Sequence, residues 1–232
     1  MTKIRAVIFD LYETLITEYS SGSRKVSRVS RDYKELIGLP NNEFSKEWNN
    51  RQEMRMTGAF PNYFSVIKDI IEKQNLTYDE KVIGSLYRER VHEKSVPFHE
   101  ITEEIIELLE GLTKKDIKLG LISNCTEEEV QSWKSCKLAR YFDEVIFSYQ
   151  VGYAKPDNRI YELACSRLGV KSNECIFVGD GGSNELDGAS RYGMNAYHAT
   201  WFIPDYISSR ITNYKKLKEP IDLFEELKRS EI

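Results

Sequence analysis

The sequence predicts an α/β protein that consists of a doubly wound parallel sheet and a small all-helical insertion. Two observations predict this class. After Pro97, short apolar segments alternate with amphipathic helical segments, which is the pattern of βα units in a parallel sheet. Before that point, residues 24–95 show helical periodicity and no convincing strand pattern. A core domain with one insert also suits a chain of 232 residues.

The first predicted strand covers residues 4–9 and is followed directly by Asp10. Its side chains are largely apolar and often β-branched, as in a strand that is buried on both faces in the middle of a parallel sheet. A carboxylate at the end of such a strand lies where open α/β sheets bind ligands. Burying an ionised group there costs several kcal/mol unless a metal ion, a substrate or N–H donors compensate it. Asp10 is therefore the first candidate for a functional residue.

The insertion begins after this strand. Residues 20–23 read SSGS and predict a flexible polar link, and Pro40 and Pro61 divide the following segment into several helices. Because the insertion leaves from the carboxyl edge of the sheet, it is well placed to cover a pocket above the first strand. We therefore predict a core and a helical cap with these bounds: residues 1–19 and 96–232 for the core, and residues 20–95 for the cap.

Strands and helices alternate in the remainder of the chain. Further strands are predicted at residues 117–123, 145–148, 175–179 and 195–199. Helices are predicted at residues 101–112, 126–134, 158–169, 184–193 and 221–228. Thr102 is expected to cap the first of these helices, and Gly193 ends the fourth. Three glutamates lie near the positive N-terminal end of the second helix, where negative charge is favourable.

The composition excludes several classes of protein. The formal net charge is -4 and the basic residues are scattered, so nucleic acid is not expected as a partner. One basic cluster, Lys215, Lys216 and Lys218, is expected to be a solvated face. No apolar run approaches about 18 residues and no signal-like segment begins the chain, which predicts a cytoplasmic protein that does not contact a membrane. The cysteines and histidines lack metal-ligand spacing, so we expect free thiols and no zinc site.

Polar side chains lie at or after four of the predicted strands. They are Asp10 with Thr14, Ser123 with Asn124, Lys155, and Asp180 with Glu185. Because the carboxyl ends of parallel strands share one edge of the sheet, these side chains would meet in one cleft. The glycines around Asp180 permit a tight turn whose amides can face an anion. Each feature is weak alone, but their order along the chain indicates a site for a metal or a phosphate.

These segments resemble the motifs of the haloacid dehalogenase-like hydrolase superfamily. The matching segments are FDLYETL (9–15), LISNC (121–125), YAKPDNRIYELA (153–164) and FVGDGGSNELDGA (177–189). The resemblance spans nearly the whole chain apart from the predicted cap. It implies a Rossmann-like core with a cap inserted after the first motif. It also implies a function, because most members of the superfamily are magnesium-dependent phosphatases.

The resemblance implies a nucleophile and a cofactor. Asp10 would be the nucleophile and would form a covalent aspartyl intermediate that water then hydrolyses. The cofactor would be Mg²⁺, held by the Asp10 carboxylate, the backbone carbonyl of Tyr12 and the Asp180 carboxylate. Glu185 would bind the ion directly or through water.

The resemblance also implies contacts with the substrate. Lys155 would pair with the nucleophile and with substrate oxygens. Ser123 and the backbone N–H of Asn124 would donate to the transferring group, and Thr14 would orient the motif loop. A phosphoryl group brings negative charge towards the nucleophile, so cations and donors of this kind must offset the repulsion.

Tyr12 departs from the pattern of the phosphatases. They carry a second aspartate two residues after the nucleophile, which protonates the leaving oxygen and later activates water. A phenol with an ordinary pKa near 10 is a poor general base at neutral pH, so Tyr12 is expected to donate a hydrogen bond or to line the pocket. Turnover would then rely on a good leaving group, as in an acyl or aryl phosphate, or on a cap residue such as Glu47, Glu53 or His92.

An aromatic residue at this position is similar to the 2-haloacid dehalogenase branch, in which halide leaves without a proton and no metal is needed. The segment RIYELA (159–164) is also similar to that branch. However, those enzymes carry serine and asparagine in place of Asp180 and its glycines. They also place an arginine directly after a tryptophan in the first cap helix, where this chain has Trp48 and Asn49. Arg55 lies nearby and is the candidate cap residue for contact with the substrate.

Three functions remain open at this point. The favoured one is a Mg²⁺-dependent phosphatase of a small phosphorylated metabolite, because Asp180 and Glu185 near Asp10 would repel one another by roughly 4 kcal/mol per close pair without a cation. The second is a metal-independent 2-haloacid dehalogenase. The third is a catalytically silent member that binds a phosphorylated ligand or a protein. The expected partner is a small molecule, either a phosphate ester or a 2-haloacid, and the chain is expected to be a monomer or a homodimer.

Overall fold

The computed structural model describes residues 3–28 and 31–230. Its strands are β1 (Ala6–Phe9), β2 (Tyr19–Ser20), β3 (Ser23–Arg24), β4 (Lys118–Ser123), β5 (Glu144–Phe147), β6 (Cys175–Gly179), β7 (Asn195–Ala199) and β8 (Lys215–Leu217). Its α-helices are α1 (Tyr33–Ile37), α2 (Asn41–Asn50), α3 (Gln52–Met56), α4 (Tyr63–Lys73), α5 (Glu80–His99), α6 (Glu103–Thr113), α7 (Ser148–Val151), α8 (Asn158–Leu168), α9 (Glu185–Tyr192), α10 (Asp205–Ser208) and α11 (Asp222–Ser230). Short 3₁₀ helices cover Glu127–Glu129, Gln131–Ser135, Ala139–Tyr141, Ser172–Glu174 and Gly182–Asn184. The outer ends of the predicted core, and residues 29–30 of the predicted cap, lie outside the described residues.

Six strands form one parallel sheet in the order β5-β4-β1-β6-β7-β8. β1 pairs with β4 on one side and with β6 on the other, so that Phe9 lies opposite both Leu121 and Val178. Helices cover both faces of this sheet. The predicted doubly wound, Rossmann-like sheet is confirmed, and the strand that leads to Asp10 lies in its interior.

The side chains of β1 alternate between two apolar clusters, one on each face of the sheet. Val7 and Phe9 belong to the cluster that includes residues of α6 and α11. Ala6 and Ile8 belong to the cluster that includes residues of α8 and α9. All four side chains are fully shielded from solvent. Because successive strand residues point to opposite faces, burial on both sides requires an apolar residue at every position.

The inserted helices have an apolar cluster of their own. It includes Phe44 of α2, Ile67 of α4 and Leu86 of α5, all of them buried. α5 continues to His99 and therefore crosses the boundary that was predicted at residue 95. The division of the chain into a core and a cap stays a prediction.

Three local predictions differ from the structure. Residues 20–23, predicted as a flexible link, lie in an antiparallel hairpin of β2 and β3, with Ser21 and Gly22 at positive φ in its turn. No strand was predicted at Lys215–Leu217, but this segment forms β8 at the edge of the sheet, where charged side chains discourage further pairing. Lys215 and Lys218 of the predicted solvated face are exposed, and Lys216 is half-buried. Thr102 precedes α6 as predicted, but its side chain makes no capping hydrogen bond.

The segment after β4 also differs from its prediction. One α-helix was expected over residues 126–134, but the chain forms two consecutive 3₁₀ helices there. Glu128 and Glu129 are buried instead of lying on an exposed helix end. Their carboxylates pair with cations of α5, and this tertiary pairing outweighs the local helical pattern.

Two further findings concern the predicted cellular location of the protein and the state of its cysteines. Within residues 3–28 and 31–230, no helix combines the length and the apolar character needed to cross a membrane. All four cysteines are free and buried, as their spacing indicated. A cytoplasmic location stays a prediction.

Candidate active site

The carboxyl ends of three neighbouring strands bring most of the predicted site residues to one edge of the sheet. Asp10 follows β1, Ser123 ends β4, and Asp180 follows β6. Lys155 comes from the loop between α7 and α8, and Glu185 begins α9. Because the strands are parallel, all of these positions lie at the edge where α/β sheets bind ligands.

Donors surround the Asp10 carboxylate, which is only 7% exposed. Lys155 Nζ donates to Oδ1, and Thr14 Oγ1 donates to Oδ2 at 3.4 Å. The backbone N–H of Asp10 donates to Val178 O at 2.9 Å and fixes this residue against β6. Asp10 is therefore held by both its main chain and its side chain.

The ammonium of Lys155 bridges two carboxylates, since Nζ donates to Asp10 and to Glu185. The side chain of Asn124 holds the main chain of Lys155 in place. Lys155 N donates to Asn124 Oδ1 at 2.8 Å, and Asn124 Nδ2 donates to Lys155 O at 2.9 Å. Sequence reasoning considered only the backbone N–H of Asn124. It missed these side-chain bonds because they join two loops that are 31 residues apart.

Asp10, Asp180 and Glu185 form a cluster of possible metal ligands. Each offers one carboxylate oxygen, and these atoms lie within 4.8 Å of one another. The three offer oxygen atoms alone, which suits Mg²⁺ better than a softer ion that prefers nitrogen or sulfur ligands. The residues present therefore fit the cofactor that the resemblance implies.

Glycines in the turn after β6 leave room for these carboxylates. A Cβ atom on Gly179 would lie 2.1 Å from Oε1 of Glu185, so a larger residue would displace that carboxylate. Gly181 N donates to Glu185 Oε1 at 3.0 Å, and Gly182 N donates to Asp180 Oδ1 at 2.9 Å. The amides of this turn were predicted to face an anion. The anions that they face are two of the chain's own carboxylates.

Burial perturbs the titration of the site. Burial raises the pKa of Asp10, Lys155 offsets part of this rise, and Asp180 adds to it. Burial and the charge of Asp10 raise the pKa of Glu185 well above its ordinary value. Burial alone would lower the pKa of the Lys155 ammonium, but Asp10 and Glu185 outweigh it and raise that pKa. The cluster has three carboxylates and Lys155 contacts two of them, so the ionised site has an excess of negative charge.

Tyr12 packs beside the site, and its hydroxyl is engaged in a hydrogen bond. Its OH donates to the backbone oxygen of Glu129 at 2.6 Å. Its ring packs edge-on against Phe98 with 6.2 Å between ring centres, and Lys94 Nζ lies 4.6 Å from the ring centre. Burial, followed by the charge of Glu129, raises the pKa of Tyr12 well above its ordinary value. Of the two roles expected from the sequence, Tyr12 has that of a hydrogen-bond donor.

Ser123 and Arg55 are both buried, in different surroundings. Ser123 ends β4 and is 1% exposed. Arg55, in α3, is 3% exposed, and its guanidinium lies 4.0 Å from the ring centre of Trp48. Within the described part of the chain it makes no hydrogen bond or ion pair, and burial lowers its pKa to about 10. The structure thus pairs Arg55 with an aromatic face and does not hydrogen-bond it to Asp10.

An ionic cluster near the loop after β1 joins α5 to that loop and to the segment after β4. Glu129 accepts from Arg90 Nη2 at 2.6 Å. Lys94 Nζ lies 3.3 Å from a Glu129 oxygen and 2.8 Å from a Glu18 oxygen. Arg90 Nε donates to Glu128 at 2.9 Å. Sequence reasoning missed this cluster, because its members come from three distant segments and share no local pattern.

Comparison with known proteins gives two kinds of relative. A family model described as haloacid dehalogenase-like hydrolase matches residues 4–193. The (S)-2-haloacid dehalogenase 4A of Burkholderia cepacia is 28% identical over 197 residues, which cover 83% of this chain and 81% of that protein. The glyceraldehyde 3-phosphate phosphatase of Methanothermobacter thermautotrophicus is 36% identical over 105 residues, which cover 43% of each protein. The solved structure of a 2-haloacid dehalogenase from Pseudomonas syringae pv. Tomato DC3000 has a TM-score of 0.67 at 20% identity and covers 97% of this chain and 99% of that one.

Proposed function

Because the chain belongs to the haloacid dehalogenase-like hydrolases, whose family model matches residues 4–193, we propose that it is a Mg²⁺-dependent phosphatase. A small phosphorylated metabolite transfers its phosphoryl group to Asp10, and water then hydrolyses the aspartyl phosphate. The observation that carries this proposal is the cluster of Asp10, Asp180 and Glu185, whose oxygens lie within 4.8 Å of one another.

Charge balance supports a divalent cation at this cluster. Two carboxylates about 4 Å apart repel by about 4 kcal/mol at an effective dielectric constant of about 20. Lys155 contacts two of the three carboxylates but offsets only one negative charge. Mg²⁺, held by Asp10, Asp180, Glu185 and the carbonyl of Tyr12, would balance the other two and would offset negative charge on the transferring group.

The remaining residues have roles in positioning and charge stabilisation. The Asp10 carboxylate attacks phosphorus while the bond to the leaving oxygen breaks. Lys155, held by Asn124, orients Asp10 and contacts the phosphoryl oxygens. Ser123 and the backbone N–H of Asn124 donate to the same oxygens as charge develops on them. Thr14 keeps the carboxylate of Asp10 in place through its bond of 3.4 Å.

Arg55 is proposed to contact an anionic part of the substrate. A guanidinium that is 3% exposed and whose Nε has no hydrogen-bond partner within the described residues is costly unless other groups compensate it. The face of Trp48 and the charges of Glu129 and Glu128 supply part of this compensation, and a carboxylate or phosphate of the substrate would add to it.

A 2-haloacid dehalogenase is the second candidate, and one observation favours it. The hydroxyl of Tyr12 donates its hydrogen bond to Glu129 O and so does not serve a leaving group. Halide needs no proton when it departs. In that reaction Asp10 would displace halide from carbon and form an ester that water hydrolyses. The same observation favours a silent member that only binds phosphorylated ligands. We favour the phosphatase because the acidic cluster of Asp10, Asp180 and Glu185 suits a divalent cation, which the dehalogenase reaction does not need.

A paired assay tests these alternatives. Phosphate release from a panel of phosphate esters is measured with Mg²⁺ and with a chelator, and chloride release from 2-chloropropionate is measured under the same conditions. We expect Mg²⁺-dependent phosphate release that falls by at least about 10⁴-fold in Asp10→Asn, because that variant lacks the nucleophile.

Asp116→Asn is the matched control, because Asp116 is exposed and belongs to a turn away from the cluster. This variant should keep the wild-type rate. Chloride release that persists in the chelator would overturn the proposal in favour of the dehalogenase. If neither phosphate nor chloride is released but phosphate esters bind, the non-catalytic alternative is favoured.

A further inference from the structure

We infer that the substrate is a phosphate ester or mixed anhydride whose leaving group departs as a stable anion, such as an aryl, enol or acyl phosphate. This inference rests on the proposed phosphatase activity and adds the class of substrate to it. It follows from the groups near Asp10 and from the cap acids that the sequence suggested. Each of those considered among the described residues donates its proton to another group, accepts or pairs as a carboxylate, or is exposed. A simple alkoxide would have to leave without a proton, which is slow.

Tyr12 lies two residues after the nucleophile, and its hydroxyl carries a single proton. That proton is donated to Glu129 O at 2.6 Å. Phe98 packs against the ring and Lys94 lies over it, so the side chain is fixed in this direction. Tyr12 can therefore serve a leaving oxygen only by breaking its bond to Glu129.

Glu13 and Lys94, the titratable groups beside Tyr12, also contact other residues. Both oxygens of Glu13 accept hydrogen bonds, from Glu18 N at 2.9 Å and from Thr17 Oγ1 at 2.5 Å, which is the pattern of an ionised carboxylate. Lys94 Nζ lies 2.8 Å from a Glu18 oxygen and 3.3 Å from a Glu129 oxygen, so its N–H groups face these two carboxylates. Both Glu13 and Lys94 belong in the test.

The acids that the sequence suggested from the inserted helices are placed elsewhere. Glu47 pairs with Arg51, and Glu53 and His92 are exposed. Lys155 and Thr14 donate to Asp10 itself. Lys155 donates to Glu185 as well, so both of these donors face the carboxylates of the site.

The reaction balances without an acid from the protein. As Asp10 bonds to phosphorus, the bond from phosphorus to the leaving oxygen breaks and its electron pair stays on that oxygen. A phenolate, enolate or carboxylate holds this charge, and solvent supplies a proton later where one is needed. In the second step water adds to phosphorus, the bond to Asp10 breaks, and both water protons leave on the phosphate.

A series of para-substituted phenyl phosphates of similar size tests the inference, with kcat/KM measured in the presence of Mg²⁺. We expect kcat/KM to fall by at least about 100-fold from the most to the least acidic phenol, and further for an alkyl phosphate, because no acid compensates a poor leaving group. Values that agree within about threefold across the series would overturn the inference while the phosphatase function stands. Phosphate release from none of the esters would overturn the function itself.

Variants test whether a side chain of the protein supplies a proton to the leaving oxygen. Tyr12→Asp is designed to place a carboxyl group beside the leaving oxygen. We expect the ratio of kcat/KM between the most and the least acidic phenol to become smaller by about tenfold or more. Tyr12→Phe, Glu13→Gln and Lys94→Met should keep the spread of the wild type even where their absolute rates fall. A wider spread in any of these three would identify an acid and overturn the inference, as would a folded Tyr12→Asp that keeps the full spread. If Tyr12→Asp does not fold, the series with the wild type decides alone.

Discussion

At the scale of single residues, Asp10 and Lys155 form the buried ion pair of the candidate site. The same ammonium also binds Glu185, so one cation serves two carboxylates. Burial raises the pKa of both acids, and the charge of Lys155 opposes this rise. Lys155 therefore favours the ionised form of Asp10, which is the form that would attack phosphorus in the proposed reaction.

Lys155→Met removes this cation but keeps an unbranched side chain. Because two buried carboxylates then lack their partner, we expect the free energy of unfolding to fall by about 3–5 kcal/mol. We expect kcat for phosphate release to fall by about 10²–10³-fold, because a positive group no longer faces the transferring oxygens. Urea denaturation and steady-state kinetics measure the two effects.

Lys114→Met is the control for this prediction, because the Lys114 side chain is 78% exposed and its pair with Glu110 at 3.9 Å lies on the surface. Its effect on the free energy of unfolding should stay within about 0.5 kcal/mol. A Lys155→Met enzyme whose kcat stays within about threefold of the wild type would contradict the role of this residue.

The site residues differ in how far the sequence could predict them. Asp10 has a local signal, because burying a carboxylate directly after a largely apolar strand costs several kcal/mol unless another group compensates it. Lys155 has none, since a lysine before a proline looks like an ordinary turn, and only the resemblance to a family indicated its role. The bond from Tyr12 to Glu129 could not be predicted, because it joins residues that are 117 positions apart.

At the scale of elements, α5 and the 3₁₀ segment after β4 form a charged junction. Arg90 and Lys94 lie one turn apart on α5, and both reach Glu129. Burial alone would raise the pKa of Glu129, but Lys94 and Arg90 outweigh burial and lower it to about 2. Glu129 O also accepts from Tyr12. The junction therefore couples the inserted helices to the loop that carries the nucleophile.

Glu129→Gln tests this junction. The folded pKa of Glu129 is about 2 against an ordinary value of 4.5, so its stabilising effect is complete at neutral pH and fades as the pH falls from 4.5 through about 2. We expect the variant to lose about 3 kcal/mol of unfolding free energy at pH 7, and this deficit should shrink below about pH 4. Denaturant unfolding of both proteins across this pH range measures the difference.

Glu72→Gln is the matched control, since the side chain of Glu72 is 66% exposed in a surface pair with Lys68 at 3.8 Å. It should change the unfolding free energy by less than about 0.5 kcal/mol at every pH. If Glu129→Gln loses the same small amount, or loses equally at pH 7 and about pH 3, the junction does not have the proposed strength.

Interior elements could be predicted more fully than peripheral ones. β1, β4 and β6 are apolar along most of their length because both faces are covered, and this pattern is visible in the sequence. β8 reads KKL and buries only Leu217, so its composition resembles a surface loop. The segment 126–134 could not be predicted, because Glu128 and Glu129 are buried only where Arg90 pairs with them.

At the scale of the whole molecule, three apolar clusters surround a charged region. Two clusters cover the faces of the sheet, and the third fills the inserted helices. The carboxylates of the candidate site lie at the strand ends, and the junction at Glu129 lies near them. The alternation of segments was enough to predict the fold class, whereas the packing of the inserted helices depends on long-range ion pairs that no local pattern indicates. Whether the chain is a monomer or a homodimer stays a prediction.

The most direct test of this account is a calorimetric titration of the protein with Mg²⁺. The central claim is that Asp10, Asp180 and Glu185 together hold one divalent ion beside the nucleophile. We predict one Mg²⁺ per chain, bound at least about 10-fold more weakly by Asp180→Asn and equally well by the exposed control Asp116→Asn. No binding by the wild type, or an affinity that Asp180→Asn leaves unchanged, would contradict the claim.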